Sequence, residues 1–372
     1  MFSRLVLKAV LALAGVGIEG KEDHDITVRD SRFVWRVLAG GSDRALGEAY
    51  MRGDFECRRL DLFIERLIKA DLNRWIPDLH ELKVWLMSRV VSQHNKQKSL
   101  RVAKHYNIPP WFYRLVLGPT MVYTSGVYGP GVITNDEAQQ YKLDLFRRKI
   151  PNLGPGDTVL DVGFGWGGLM EHLARTTGCR AVGVSIAEEQ VAFAQEKYAR
   201  SNLPLEFRRC DYRDIEGRYD HIVSVCMSEH VGVANLPGYY RKMKSLLLPN
   251  GVFVWQGILA SDRSARVSSF LDAHIFPGGE LPTEGEMRAA VRGLFTILDR
   301  HYFPESYVKT LRAWSSNLEQ HKDRVVAELG GEFYRMYQFY FNLCAAGFES
   351  GRVTVAQFVL SPASRPSYRP VR

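Results

Sequence analysis

The stretch Val159-Leu-Asp-Val-Gly-Phe-Gly-Trp-Gly-Gly168 constrains this chain of 372 residues more than any other. Thr158 to Val162 is apolar and β-branched apart from Asp161, the composition of a strand buried on both faces of a parallel sheet, and Leu169 to Ala174 resumes a helical spacing. Between them, glycines at 163, 165, 167 and 168 let the backbone approach a ligand closely. Strand, Gly-rich turn and helix in this order predict a nucleotide-type cofactor site at a strand's carboxyl end. The turn alone serves dinucleotide enzymes as well as methyltransferases, because positions 163, 165 and 168 can be set to Gly-x-Gly-x-x-Gly.

The next strand ends separate the two. Ala181 to Ile186 ends on Ser185, with Gln190 one helical turn further, where a dinucleotide site wants an acid. Leu205 to Arg209 runs into Cys210-Asp211-Tyr212, and His221 to Val225 runs into Met227-Ser228-Glu229-His230. This succession resembles a class I S-adenosylmethionine (SAM) methyltransferase, an α/β fold with a Rossmann-like doubly wound sheet. The resemblance places Asp161 and Gly163 near the methionine end of SAM and counts the turn glycines Gly165 and Gly167 among the cofactor-binding residues. It places Ser185 and Gln190 near the ribose, and Asp211 with Tyr212 near the adenine.

Length argues for two domains. Residues 1–90 read as a smaller amino-terminal α+β domain, with a strand from Ile26, a helix over Arg32 to Leu38, a turn at 40–42 and a helix over Ala45 to Met51. Residues 91–136 read as a linker and helical cap, with a basic helical stretch over 77–105, and 137–372 as the methyltransferase domain. The segment around His274-Ile-Phe-Pro277 reads as an insertion shaping an acyl pocket or packing on its own account. Long helices follow over 305–347, and their aromatic run Tyr334 to Phe341 is core material or the wall of an apolar tunnel. Pro109 and Pro110 break the aromatic segment before Tyr113.

Net charge is +8 and the pI near 9.2, without a basic tail. That suits anionic headgroups or nucleic acid; no Asn-Pro-Pro-Tyr or Pro-Cys motif stands at a strand end, so nucleic acid is not expected as a partner. Five scattered cysteines with no Cys-x-x-Cys indicate neither a disulfide framework nor a metal site. The apolar run Leu5 to Val16 is too short to span a bilayer and reads as a helix packed on the first domain. A cytoplasmic protein is expected.

Several segments together, in order along nearly the whole chain, resemble the cyclopropane-fatty-acyl-phospholipid synthase family, which includes the mycolic acid cyclopropane synthases. They are Ala45-Leu-Gly-Glu-Ala-Tyr-Met-Arg-Gly-Asp-Phe-Glu56, His105-Tyr106 with Phe112-Tyr113 and Met121-Val-Tyr123, the glycine turn, Ser224 to Gly232, His274 to Pro277, and Tyr307-Val-Lys-Thr-Leu-Arg-Ala-Trp314. The resemblance implies methyl transfer from SAM to the double bond of an unsaturated phospholipid acyl chain at the inner membrane face, a peripheral association and a homodimer. Tyr123 and Thr124 match residues that touch SAM. Methyl transfer leaves a carbocation, and a base then removes a proton from the added methyl to close a ring. The family holds a bicarbonate for this step with a cysteine, a glutamate, a histidine and a tyrosine.

Glu229 and Tyr307 fall on the glutamate and the tyrosine. Ser125 stands where the cysteine is expected and Gln256 where the histidine is. Cys226 replaces a glycine beside the glutamate, and Phe164 the usual cysteine of the turn. Gln256 cannot carry charge or shuttle a proton as imidazole does, so the resemblance extends SAM to this chain more firmly than bicarbonate. A cyclopropane and a methylene or methyl branch both stay open as products. An amine methyltransferase and a lipid-binding protein without activity stay open as alternatives. His230 is expected to point away from the site.

Overall fold

The computed structural model describes residues 2–40, 42–70, 108–265, 268–363 and 367–372. The expected helical stretch 77–105 and the His105-Tyr106 pair lie outside the described residues. The chain forms two compact units, one made of 1–91, 267–277 and 308–353, the other of 92–266, 278–307 and 354–372.

In the first unit, β1 (Ile26–Val28) pairs antiparallel with β2 (Phe55–Cys57), Ile26 opposite Cys57 and Val28 opposite Phe55. The opening apolar run forms the helix Phe2–Leu13, which buries Leu7 and Leu11 and leaves Leu5 and Leu13 exposed. Among the described residues no helix is long and apolar enough to cross a membrane. The helix Asp43–Met51 starts on an N-cap bond from Ala45 N–H to the Ser42 hydroxyl. A Cβ at Gly47 would fall within 2.8 Å of the Phe270 and Phe339 rings, so only glycine lets both rings lie against this helix. The His274 segment therefore packs inside this unit. Asp43 accepts hydrogen bonds from Ser268 and Ser269, and His274 meets Glu48 at 3.2 Å. The aromatic helix Gly331–Glu349 packs on Asp43–Met51 and on Leu60–Lys69, and its Tyr337, Phe339, Tyr340 and Phe341 are buried, so the aromatic run is core.

The second unit is built on a seven-stranded sheet: β3 (Thr158–Val162), β4 (Arg180–Ser185), β5 (Leu205–Arg209), β6 (His221–Val225), β7 (Phe253–Ala260), β8 (Thr296–Tyr302) and β9 (Val353–Ser361), in the order β5-β4-β3-β6-β7-β9-β8. The β5-β4-β3-β6-β7 ladder is parallel and β8-β9 antiparallel. Alternate residues feed two cores. Leu160 and Val162 join Tyr239, Tyr240 and Met243 of the helix Leu236–Leu246 on one face. Val159 joins Leu143 and Phe146 of the helix Asn135–Lys149 and Leu173 of the helix Gly168–Thr177 on the other. A Thr134–Glu137 capping box opens the helix Asn135–Lys149. With both faces buried, the strand ends are where a ligand can reach the sheet.

Candidate active site

One cavity opens at the carboxyl ends of β3, β4, β5 and β6. Tyr123, Thr124, Asp161, Gly163, Gly165, Ser185, Gln190, Asp211 and Tyr212 line it, along with Phe164, Trp166, Lys142, Cys226 and Met227. Gly163 and Gly165 take φ of 86° and 58°, and a Cβ at Gly163 would press on Met227 at 2.7 Å. Gly167 does not line the cavity. At φ 85° it caps the helix Gly168–Thr177, and a Cβ there would meet Tyr198 at 2.9 Å, so it shapes the turn from behind. His230, expected to point away, lines the cavity.

The wall is preorganised by its own bonds. Ser185 Oγ donates to Gln190 Oε1 at 3.1 Å and accepts the Ala187 N–H. Asp211 accepts from Arg213 through both carboxylate oxygens, at 2.8 and 2.6 Å, and from the Arg213 backbone N–H. The Tyr113 ring stands 5.3 Å from Tyr123 and 5.1 Å from Trp166. Asp161 is buried, its Oδ1 has no hydrogen-bond partner, and burial pushes its carboxyl up to about 7. A slot lined by a buried acid, a bonded Ser-Gln pair and an Asp fits an adenosine ligand carrying an amine. These residues fit SAM.

A second group sits just past the end of β6 and in the middle of β7 and β9. Glu229 follows β6 in the short turn Ser228–His230, is buried, and accepts the Ile258 N–H at 2.8 Å and a longer bond from Ser228. Burial pushes its carboxyl up to about 7, against the pull of these donors. Gln256 on β7 is fully buried, and its Oε1 accepts from Gln357 Nε2 of β9 at 3.0 Å. Cys226 lies between them, its side chain in contact with both Glu229 and Gln256 and its thiol pushed well up by burial. It holds φ 51°, a left-handed conformation that glycine adopts without cost and cysteine does not. Ser125 is buried and its hydroxyl donates to Gly126 O at 2.7 Å. Tyr307 is buried, and its neighbour Ser306 accepts the Tyr128 N–H at 3.0 Å, which brings Tyr307 beside the loop of Ser125.

Glu229 and Gln256 are thus brought together through Cys226, and Tyr307 beside the Ser125 loop. None of the four lines the cofactor cavity itself. For bicarbonate the group is an incomplete set: the Ser125 proton goes to a carbonyl and Gln256 Oε1 is engaged by Gln357, while Gln256 Nε2 is buried without a hydrogen-bond partner and is left as a donor for an anion. Among the described residues no cluster could hold a metal ion. Two residues escaped the sequence reading. Gln357, 101 positions from its partner, gives no local signal. Lys142 sits in a helix that reads as charged and solvated, yet is buried; the spacing 139, 142, 146 along one helical face would have marked it.

A family model described as mycolic acid cyclopropane synthetase matches residues 93–358. The chain is 33% identical over 360 residues to cyclopropane-fatty-acyl-phospholipid synthase of Escherichia coli, covering 96% of this chain and 92% of the relative. Among solved structures it resembles the mycolic acid cyclopropane synthase CmaA1 complexed with SAH and CTAB, at 28% identity and TM-score 0.66 over 73% of this chain and 99% of that one. A coclaurine N-methyltransferase, 19% identical with TM-score 0.68 over 85% of this chain and 98% of that one, shares the fold. The class I methyltransferase fold expected from the strand ends is therefore found, and the chain belongs to the mycolic acid cyclopropane synthetase family.

Proposed function

We propose that this chain is a SAM-dependent enzyme that adds a methylene unit across the double bond of an unsaturated phospholipid acyl chain, giving a cyclopropane. The observation that carries this reading is the pairing, within one unit, of the cavity at β3, β4, β5 and β6 with a buried carboxyl whose affinity for a proton is tuned to neutrality just past the end of β6. SAM, when bound, supplies an electrophilic methyl group to an alkene and leaves positive charge on the acyl chain. Asp161 and the turn glycines Gly163 and Gly165 bind its methionine end, Tyr123 and Thr124 the wall beside it, Ser185 and Gln190 its ribose, and Asp211 and Tyr212 its adenine. Gly167 holds the turn. The Tyr123 and Trp166 rings offer faces that stabilise a nearby cation and exclude water. Glu229 takes the proton from the added methyl, and the electron pair of that C–H bond closes the ring. A base with a pKa near the working pH suits this task. Gln256, Gln357 and Ser228 hold Glu229 and Cys226 in place, and Tyr307 and Ser125 line the acceptor side.

The relative from Escherichia coli supports a phospholipid acceptor, because it matches along 96% of this chain, first unit included. Such an acceptor places the protein at a membrane surface as a peripheral protein, in keeping with its positive charge. The test is mass spectrometry of acyl chains after incubation with methyl-labelled SAM and vesicles of mono-unsaturated anionic phospholipid. A gain of one CH2 with the alkene lost is expected. The same gain with the alkene retained means either that a proton is lost from a chain carbon, giving a methyl-branched alkene, or that a 1,2-hydride shift precedes loss of a methyl proton, giving a methylene branch. Absence of any gain overturns the acceptor assignment.

A further inference from the structure

Two buried ionisable groups line the cofactor cavity, and neither has a counter-charge. Asp161 Oδ1 accepts no hydrogen bond, and burial alone acts on its titration. Lys142 Nζ donates to the neutral Thr124 hydroxyl at 2.7 Å, and among the described residues no carboxylate stands within ion-pair distance of it. The two do not pair with each other. Both stand on one side of the sheet: Asp161 shares its face of β3 with Val159, whose core neighbours Leu143 and Phe146 come from the helix that carries Lys142. The lysine is fixed there, since Gln139, one turn earlier, donates to the Thr124 carbonyl at 2.8 Å while Lys142 holds its hydroxyl.

An uncompensated ion in a protein interior is costly, and such a group is kept where something else supplies the missing charge. A buried cation and a buried anion lining one cavity without touching require a ligand that carries both signs close together. An α-amino acid does so. We propose that Lys142 and Asp161 form a zwitterion clamp for the amino-acid end of SAM, Lys142 donating to its α-carboxylate and Asp161 accepting from its α-ammonium. This rests on the SAM reading above and adds to it a residue, Lys142, and a charge rule for the ligand. The clamp makes the amino-acid end a condition of tight binding. It sets Lys142 apart from proton transfer, because an amine committed to a carboxylate is not the base for ring closure.

The test is calorimetry on the full chain with two probes, S-adenosylhomocysteine (SAH) and 5′-methylthioadenosine, which lacks the amino-acid end. Lys142→Met is expected to weaken SAH about tenfold to a hundredfold, the worth of one charge-assisted hydrogen bond, and to leave methylthioadenosine unchanged. Asp161→Asn is expected to behave likewise. The methylthioadenosine result doubles as the control for folding. Should Lys142→Met bind neither probe, the wild type answers alone: decarboxylated SAH, which keeps the ammonium for Asp161 and offers no carboxylate to Lys142, is expected to bind it about tenfold to a hundredfold more weakly than SAH, and equal affinity for decarboxylated and intact SAH overturns the clamp. Full SAH affinity in Lys142→Met overturns it too and returns the lysine to proton transfer, where turnover falls and affinity does not. Absence of SAH binding by the wild type overturns the cofactor reading itself, and the clamp with it.

Discussion

The carboxyl edge of the sheet has two halves built on different principles. Under β3, β4 and β5 the wall is backbone and short-range bonding: turn glycines at positive φ, Ser185 bonded to Gln190, Asp211 bonded to Arg213. Under β6, β7 and β9 it is a knot of buried side chains from distant strands, in which Glu229, Cys226, Gln256 and Gln357 meet one another. By the resemblance, the first half keeps the turn glycines and departs at Phe164, while the second departs at Ser125, Gln256 and Cys226. Local geometry recognises the shared ligand, while the side-chain network is only partly satisfied, with Gln256 Nε2 and Gln357 Oε1 buried without a hydrogen-bond partner.

The sharpest way to break the comparison is Glu229→Gln. It is expected to lower ring-forming turnover by about a hundredfold to ten thousandfold, the usual worth of a general base, read by mass spectrometry of the acyl product. SAH affinity by calorimetry is expected to hold. A fall in affinity with intact turnover would mean the halves are not separate. The wild-type pH profile is the companion test: a carboxyl that titrates at about 7 must be ionised to accept a proton, so turnover is expected to fall as pH drops below about 7.

Asp161→Asn probes the other half from the side of stability. The folded-state pKa of Asp161 stands above its unfolded value, so its contribution is fully present below about 3.8 and is lost as pH rises through about 7. At pH 8 the ligand-free wild type carries that penalty. Asparagine removes it, and the ligand-free variant is expected to be more stable at pH 8 by up to about 4 kcal/mol in urea unfolding, less the cost of burying the amide. No gain at pH 8 would mean that Asp161 is compensated without ligand.

The smallest expected effect sharpens the comparison most. Cys226→Gly relieves the left-handed strain, about 1 kcal/mol, and gives up a buried thiol, so stability should change little. Combined with Ser125→Cys and Gln256→His, it is expected to make turnover respond to added bicarbonate, which wild-type turnover should ignore. A wild type that responds would overturn the account of the rewired half.

What was legible in the sequence follows the same divide. The strands Thr158–Val162 and His221–Val225 were readable from their β-branched runs and Leu205–Arg209 from the alternation of Leu205 and Phe207 with charged residues, and the residues just past these strands carried the candidate site. Gly167 was assigned to the ligand because spacing cannot tell a glycine that faces the cavity from one that lets Tyr198 pack behind it. Simple alternation points His230 away from the cavity, but Glu229 and His230 both sit in the short turn Ser228–His230, where alternation does not hold. Lys142 was hidden by the charged residues around it. The bond between Gln256 and Gln357 exists only once β7 and β9 are neighbours. The membership of 267–277 and 308–353 in the first unit was hidden for the same reason, since the contacts span more than half the chain.

That membership has a consequence for biosynthesis. The helices Asp43–Met51 and Leu60–Lys69 leave the ribosome early, but the helix Gly331–Glu349 that covers them arrives about 260 residues later. At usual elongation rates this is a wait of roughly 13–50 s. Through that interval the Tyr50 ring and the helix face at Gly47 lack the Phe339 ring that packs on them in the finished protein. The unit that begins the chain is among the last to be completed, so a nascent chain halted anywhere before residue 331 should be a client for chaperones, whatever the state of its sheet.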